Sequence, residues 1–227
     1  MESELDQQSM PLVTDEELPE LEGIGYAIHR PAGAPFFLEG EYGDFALLLR
    51  KGHVKATRGS PPRIIDVRPP GAIVGEMAVL RRKPRMASII AWDDVEALYL
   101  PGARWKEFLY AHPRAFHALV IMTEDMADRQ SKKNVESELA IEQQLALRLI
   151  ELTDFGLGMP AGDEALVFLG VSQQDLASLI GAKKIDSVKK VIRQLKASGI
   201  VDPGRQKITI LQPTVLREIA DGNRTVS

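Results

Sequence analysis

Residues 171–195 read VSQQDLASLIGAKKIDSVKKVIRQL, and this stretch decides the fold. Its spacing predicts two short helices joined by a tight turn. Ser172 is a good N-cap, and Asp175 three residues on makes a variant of the capping box. Leu176, Leu179 and Ile180 form one apolar face, and Ala177 is small enough for a second helix to come close. Gly181 stands where a helix end needs a residue tolerant of positive φ. Val188, Val191, Ile192 and Leu195 then fall at i, i+3, i+4 and i+7, a second helical period. The outer face of that second helix carries Lys183, Lys184, Lys189, Lys190, Arg193 and Lys196. One buried seam and one cationic face suit a helix laid against DNA phosphates, although a plain solvated face has the same look. Downstream, Ile200-Val201, a turn at Pro203-Gly204 and the run Ile208 to Leu211 predict a small hairpin, the wing of a winged helix-turn-helix.

The formal net charge of the 227 residues is −4, which argues against indiscriminate coating of nucleic acid. That average hides a polarity. Eight acidic residues and no basic one lie in 1–22, against eight basic and two acidic in 181–207. The absence of cysteine excludes disulfides, iron–sulfur clusters and thiolate nucleophiles. No apolar run approaches the roughly 20 residues of a membrane helix and no signal peptide stands out, so a cytoplasmic chain with no membrane partner is expected. His29, His53, His112 and His117 are too scattered for a metal site or a haem ligand. With no paired carboxylates or nucleophile motif either, no catalytic residue is expected and the chain does not read as an enzyme.

Upstream of residue 100 the text is strands and turns: Ala46–Leu49, Val54–Ala56, Arg63–Val67, Ala87–Ala91 and Val95–Leu100. This spacing, punctuated by Gly and Pro, indicates a β-barrel or jelly roll. Within it, Gly71-Ala-Ile-Val-Gly75-Glu76-Met77-Ala78 interrupts the pattern, and Arg85 follows nine residues after Glu76. Two glycines free the backbone to turn and expose amides, a carboxylate accepts from hydroxyls, and a guanidinium forks onto phosphate. Such a loop can grip a ribose phosphate; a Gly-rich turn beside a surface ion pair is the alternative. Arg81-Arg82-Lys83 is either a solvated turn or an attraction for a more highly charged anion such as a cyclic dinucleotide. Beyond Pro113, Leu119, Met122 and Met126 form one helical stripe and Val135, Leu139, Leu145 and Leu149 another, with the polar run 127–134 between them.

Taken in order, these parts resemble the CRP/FNR family of bacterial transcription regulators. Gly40–Asp44, Gly52-His53-Val54 and Gly71-x3-Gly75-Glu76-Met77-Ala78 look like its cyclic-nucleotide-binding roll, Arg85-Met86-Ala87 like its phosphate-binding segment, and Ser172 to Gly181 like the first helix of its helix-turn-helix. The resemblance implies an α+β protein: an acidic flexible arm over 1–22, the roll over 23–113, a dimerisation helix over 114–137 and a winged helix-turn-helix over 138–227. It implies a homodimer binding double-stranded DNA, RNA polymerase as a further partner, and an effector pocket taking cyclic AMP or another cyclic nucleotide, or acting without ligand. Glu76 accepts from the ribose 2′-hydroxyl in that scheme, and Arg85 pairs with the cyclic phosphate. The amides of Gly75, Glu76, Met77 and Ala78 complete the cradle. The family's usual Ser or Thr after the arginine is Met86 here, which cannot donate, and Ser88 stands two residues further on. Arg129, Gln130, Lys133 and Asn134 are candidates to reach a ligand's base, and a bend is expected near 134–138.

In the DNA-reading helix the resemblance puts Ile185, Asp186 and Ser187 where the family carries Arg, Glu and Thr, after a turn one residue longer. Lys183 and Lys184 restore basic charge there. Asp186 or Ser187 meets a base edge, or Asp186 caps the helix. Lys189, Lys190, Arg205 and Lys207 are assigned to phosphates, with Ser172 and Gln173 at the start of the first helix. A cyclic-nucleotide or cyclic-dinucleotide sensor acting through protein partners rather than DNA is the alternative, and the winged helix weighs against it.

Overall fold

The computed structural model describes residues 10–162 and 164–225. Among the described residues the first element is α1 (Leu18–Ile24), followed by β1 (Tyr26–Arg30), β2 (Pro35–Phe37), β3 (Phe45–Lys51), β4 (Val54–Arg58), β5 (Arg63–Arg68) and β6 (Ile73–Val74). A short helix α2 (Glu76–Arg81) precedes β7 (Ser88–Ala91) and β8 (Val95–Pro101). Then come α3 (Gly102–Ala111), the long α4 (Pro113–Glu136) and α5 (Ile141–Asp154). The carboxyl-terminal part holds β9 (Met159–Pro160), β10 (Leu166–Leu169), α6 (Gln173–Leu179), α7 (Ile185–Ala197), β11 (Val201–Gly204), β12 (Lys207–Ile210) and α8 (Pro213–Ala220).

Two antiparallel sheets, ordered β1-β8-β3-β6 and β2-β7-β4-β5, make the roll. Side chains alternate across a strand, and β3 uses both faces. Leu47 and Leu49 enter the roll interior with Val54, Val74, Ile89 and Ala97. Ala46 and Leu48 join Leu98, Leu100, Trp105, Phe108 and Leu119 on the opposite face, under α1, α3 and α4. Cover on both sides is why the strand reads as an unbroken apolar run.

Pro113 sits at the start of α4, where its missing N–H is harmless. Leu119 and Met122 of the predicted stripe pack onto the helix's own roll. Around the cylinder, Phe116 and Val120 are exposed. With Thr123 and Ala127 they repeat at intervals of four, three and four, the seam spacing of paired helices. The helix ends at Glu136, and α5 restarts at Ile141.

The second core gathers Leu145, Leu149, Phe168, Leu176, Val188, Ile192, Leu195, Ile208, Leu216 and Ile219. The capping box on α6 is complete: Ser172 Oγ accepts from the Asp175 amide at 3.0 Å, and the Ser172 amide donates to Asp175 at 2.9 Å. Gly181 takes φ +62° in the turn to α7. Ile64, Val67 and Trp92 of the roll belong to this same core. The Ile64 amide donates to Ser178 Oγ at 2.6 Å, and Trp92 Nε1 donates to the Leu169 carbonyl at 3.3 Å.

Three expectations need correction. Residues 10–22 are not a loose arm: Leu12 and Leu21 are buried, and Arg114 holds Glu17 and the carbonyls of Pro11 and Leu12. The acidic composition masked three leucines at positions 12, 18 and 21, enough to dock the segment; residues 1–9 lie outside the described chain. The wing turns at Arg205-Gln206, with Gln206 at φ +54°, while Pro203 and Gly204 lie within β11. Proline's missing donor is harmless there because β11 is an edge strand. Residues 76–81 form the helix α2 rather than continuing the glycine-rich turn.

Candidate functional site

The cradle is built where β6 runs into α2. Gly75 takes φ +83°, and a Cβ there would collide with Arg85 Nη1. Only glycine meets both conditions. Glu76 follows as the first residue of α2 and is buried; Met77 is half-buried and Ala78 buried. Burial pushes the Glu76 carboxyl above its ordinary range, opposed by the amides of Glu76 and Met77 and by the charges of Arg68 and Arg85.

Arg85 is buried as well, at 3% exposure. Its guanidinium lies between the rings of Phe37 and Phe45, 4.1 and 4.4 Å from their centroids. Nη1 donates to the Gly75 carbonyl at 2.7 Å and Nη2 to the Phe45 carbonyl at 2.9 Å, while Nε has no partner. Burial draws its pKa down, and Glu76 opposes that. The predicted phosphate clamp is thus folded onto the cradle's own backbone. Met86 is exposed at the surface. Ser88 Oγ accepts from the Glu39 amide at 2.9 Å, which positions the hydroxyl and leaves its O–H as a donor.

Arg129 and Asn134 are brought to different places. Arg129, with Arg68, Asp125 and Ala72, lines a cavity of about 560 Å³ between the β3–β6 edge of the roll and α4. Asn134 lines a smaller cleft facing β5 and the end of α6, beside Gln130 and Lys133. Neither residue touches the Gly75 cradle. Arg68 links the two regions, since it walls the cavity and its charge acts on Glu76.

At the start of α7 and in the turn before it, Lys183, Lys184, Asp186, Lys189 and Lys190 are exposed, as are Arg205 and Lys207 on the wing. Ser172 is engaged by its capping box and Gln173 is half-buried on the first turn of α6. Ile185 is half-buried and packs against the second core, so its side chain serves the fold. Asp186 is not a cap, because Lys184 occupies that position; its carboxylate lies 3.6 Å from Lys189. Ser187 is half-buried.

Sequence reasoning passed over His53. It is buried at 7%, and both of its ring nitrogens face acceptors: Asp93 Oδ2 at 2.8 Å and the Phe155 carbonyl at 2.9 Å. A neutral ring has one donor, so this geometry calls for the imidazolium. Burial disfavours that cation, but the hydrogen bonds to Asp93 and Phe155 outweigh it and the pKa is raised. Only the distant Phe155, in the other half of the chain, reveals the role, and no local pattern could have shown it. Lys55, 3.4 Å from Asp175, ties the same two halves.

Comparison with known proteins gives these sites a context. The cyclic nucleotide-binding domain family matches residues 27–112, and the Crp-like helix-turn-helix family matches 143–219. Together they span well over half of the chain, in the order of a single regulator. The chain belongs to the CRP/FNR family. This CRP/FNR regulator is 27% identical to the cyclic AMP receptor protein of Thermus thermophilus, over 85% of its own length and 87% of the relative's. It is 22% identical to the CRP-like cAMP-activated global transcriptional regulator of Mycobacterium tuberculosis, covering 74% and 76%. The crystal structure of a CRP/FNR-family transcriptional regulator from Thermus thermophilus shares the fold, with a TM-score of 0.73 at 21% identity, over 88% of this chain and all of that one. The regulator is a DNA-binding transcription factor with a cyclic nucleotide-binding domain, not an enzyme. Among the described residues, no helix is long and apolar enough to cross a membrane.

Proposed function

We propose that this regulator works as a homodimer whose hold on DNA is set by a cyclic nucleotide entering the cradle at Gly75, Glu76, Met77, Ala78 and Arg85. The observation that carries the reading is the state of Arg85, a buried guanidinium with one unpartnered N–H and two others donated to neutral carbonyls. A phosphate competes well for those donors, because an anionic acceptor can be gripped by the guanidinium with two parallel charged hydrogen bonds that a neutral carbonyl cannot supply. Release of Gly75 and Phe45 frees the strand ends around α2. Glu76 takes the ribose hydroxyl, and a second copy pairs along Phe116, Val120, Thr123 and Ala127 of α4. The basic face of α7 then enters the major groove, with Lys183, Lys184, Lys189, Lys190, Arg205 and Lys207 on phosphates and Asp186 or Ser187 at base edges. RNA polymerase is a partner at the bound promoter, and cyclic AMP is the first ligand to try because relatives named for it match along most of the chain.

The test is selection of bound DNA fragments with and without cyclic nucleotides, followed by affinity measurement on the recovered sequence. A ligand needs about a 10⁴-fold preference for one state to drive a 1:99 mixture to 99:1. A clear ligand-dependent gain supports the scheme. Equal affinity in all conditions refutes ligand control while leaving DNA binding intact.

A further inference from the structure

The hairpin of β4 and β5 carries four cations: Lys55, Arg58, Arg63 and Arg68. Three of them meet carboxylates, Lys55 with Asp175 at 3.4 Å, Arg58 with Glu39 at 3.5 Å and Arg68 with Asp66 at 3.0 Å. Arg63 has no carboxylate partner among the described residues. It stands directly opposite Arg58, the last pair of the ladder before the turn, and both are exposed. Like charges placed directly opposite each other disfavour a hairpin. Such a pair points to an anion from outside the sheet. Its neighbours say which one. The Ile64 amide donates to Ser178 Oγ at 2.6 Å, which fastens the start of β5 to α6. Arg63 and the run from Ser178 to Gly181 line one cleft of about 240 Å³. Glu136, the acid in that cleft, is bound to Arg148. Lys183 and Lys184, both exposed, follow Gly181 by two and three residues.

We infer that Arg63 is a DNA phosphate contact supplied by the sensing roll, so that the basic surface of the winged helix continues across the domain boundary. The inference rests on the placement of α6 and α7 at the duplex given above. In helix-turn-helix docking the second helix enters the major groove while the first crosses the sugar–phosphate backbone. A side chain that meets the first helix and its turn from the roll is therefore set beside phosphates. A guanidinium stays charged and forks onto a phosphate with two hydrogen bonds. An anion at this place also relieves the conflict between Arg58 and Arg63 that the free hairpin carries. Phosphate contacts carry no sequence information directly, so Arg63 strengthens binding to any duplex and leaves operator choice to α7. Ile64, the next residue, packs in the core of the winged helix. Arg63 thus reaches the duplex only while the winged helix keeps its seat on the roll, which ties DNA affinity to the posture of the two halves.

Ethylation interference, with the full chain on its selected DNA, reads the contact directly, because each ethyl group removes the charge of one phosphate. Wild type and Arg63→Gln should differ at one phosphate in each half-site, where ethylation weakens the wild type and leaves the variant unaffected. In a salt series, Arg63→Gln should flatten the slope of log K against log salt by about 0.9 for each subunit bound, with the preferred sequence unchanged. Arg63→Lys keeps the charge without the fork, so it should retain the slope and lose only part of the affinity. The thermal midpoint of Arg63→Gln should equal or exceed that of wild type, since the opposed charge is gone; a lower midpoint overturns the argument from repulsion. Lys190→Ala, measured alongside, reports on the winged helix alone. A flattened slope for Lys190→Ala, with slope and interference pattern unchanged in Arg63→Gln, overturns the roll contact and leaves the placement of α7 standing. Unchanged slopes in both variants overturn both. Reduced transcription with unchanged DNA affinity in Arg63→Gln overturns the assignment in favour of an acidic protein surface.

Discussion

Replacing His53 by Phe tests the joint between the roll and the DNA-reading half. Phenylalanine keeps a flat ring in the buried site but removes both donors, leaving the Phe155 carbonyl and Asp93 without their partner. Asp93 is 45% exposed in its side chain and regains water, so most of the loss falls on the contact with Phe155. A hydrogen bond involving a charged group contributes about 1.5–3 kcal/mol, and that is the expected destabilisation at about pH 6. The sign of the pH dependence follows from the two shifts. His53 is raised above 6.5, so its contribution is complete below that value and is lost as pH rises through the folded-state pKa. Asp93 is lowered from 3.8, through its hydrogen bonds to His53 and against its own burial. Its share is present above 3.8 and lost as pH falls through the lowered value. The joint is therefore tightest between these limits. Trp92, bonded to Leu169 across the joint, is a natural reporter once Trp105 is changed to Phe in both proteins. Urea unfolding followed by Trp92 emission should show the wild-type midpoint falling between about pH 6 and pH 9, with the His53→Phe midpoint nearly flat over the same range. Parallel pH dependence in the two proteins, or a His53 pKa by NMR below 6.5, would refute the imidazolium assignment.

Other outcomes follow from the cradle and the basic face. Gly75→Ala places a methyl group against Arg85 Nη1 and in a left-handed conformation, so stability should fall by about 1–2 kcal/mol and nucleotide binding should vanish in calorimetry. Glu76→Gln removes a buried charge, and its thermal midpoint should match or exceed wild type while nucleotide affinity drops about tenfold or more; a lower midpoint would contradict the raised carboxyl. Lys190→Ala should flatten the slope of log K against log salt by about 0.9 without altering the preferred sequence, as read by anisotropy over a salt series. Ile185→Ala should destabilise the chain by about 1 kcal/mol and leave base preference unchanged; altered operator selection would return Ile185 to the DNA surface.

Much of this was legible in the sequence because it rests on local periodicity. The capping box at Ser172, the period through Val188 and Leu195, and the turn at Gly181 all depend on neighbours within a few residues. Gly75 and Arg85 were also readable as a pair, being close in the chain. What escaped depends on contacts far apart in sequence. The Glu39 amide, 49 residues away, donates to Ser88 Oγ, a contact that no local pattern announces. The arm looked disordered by charge, yet Arg114 gathers it from 97 positions downstream at Glu17. Ile185 fell into a base-reading slot by counting, but an apolar side chain at the foot of α7 is drawn to the core instead. The stripe through Leu119 and Met122 was found, but periodicity cannot say which body it faces.

The sharing of Ile64, Val67 and Trp92 with the winged helix sets a limit on modularity. Cut away from its roll, the carboxyl-terminal half would show water an oily scar where those three side chains had rested. A graft of this reader onto another sensor would need a replacement for that patch. For the same reason, any reorientation onto an operator must re-wet it or find it a new cover, which makes the resting posture of the reader a property of the sensor's outer wall as much as of the hinge.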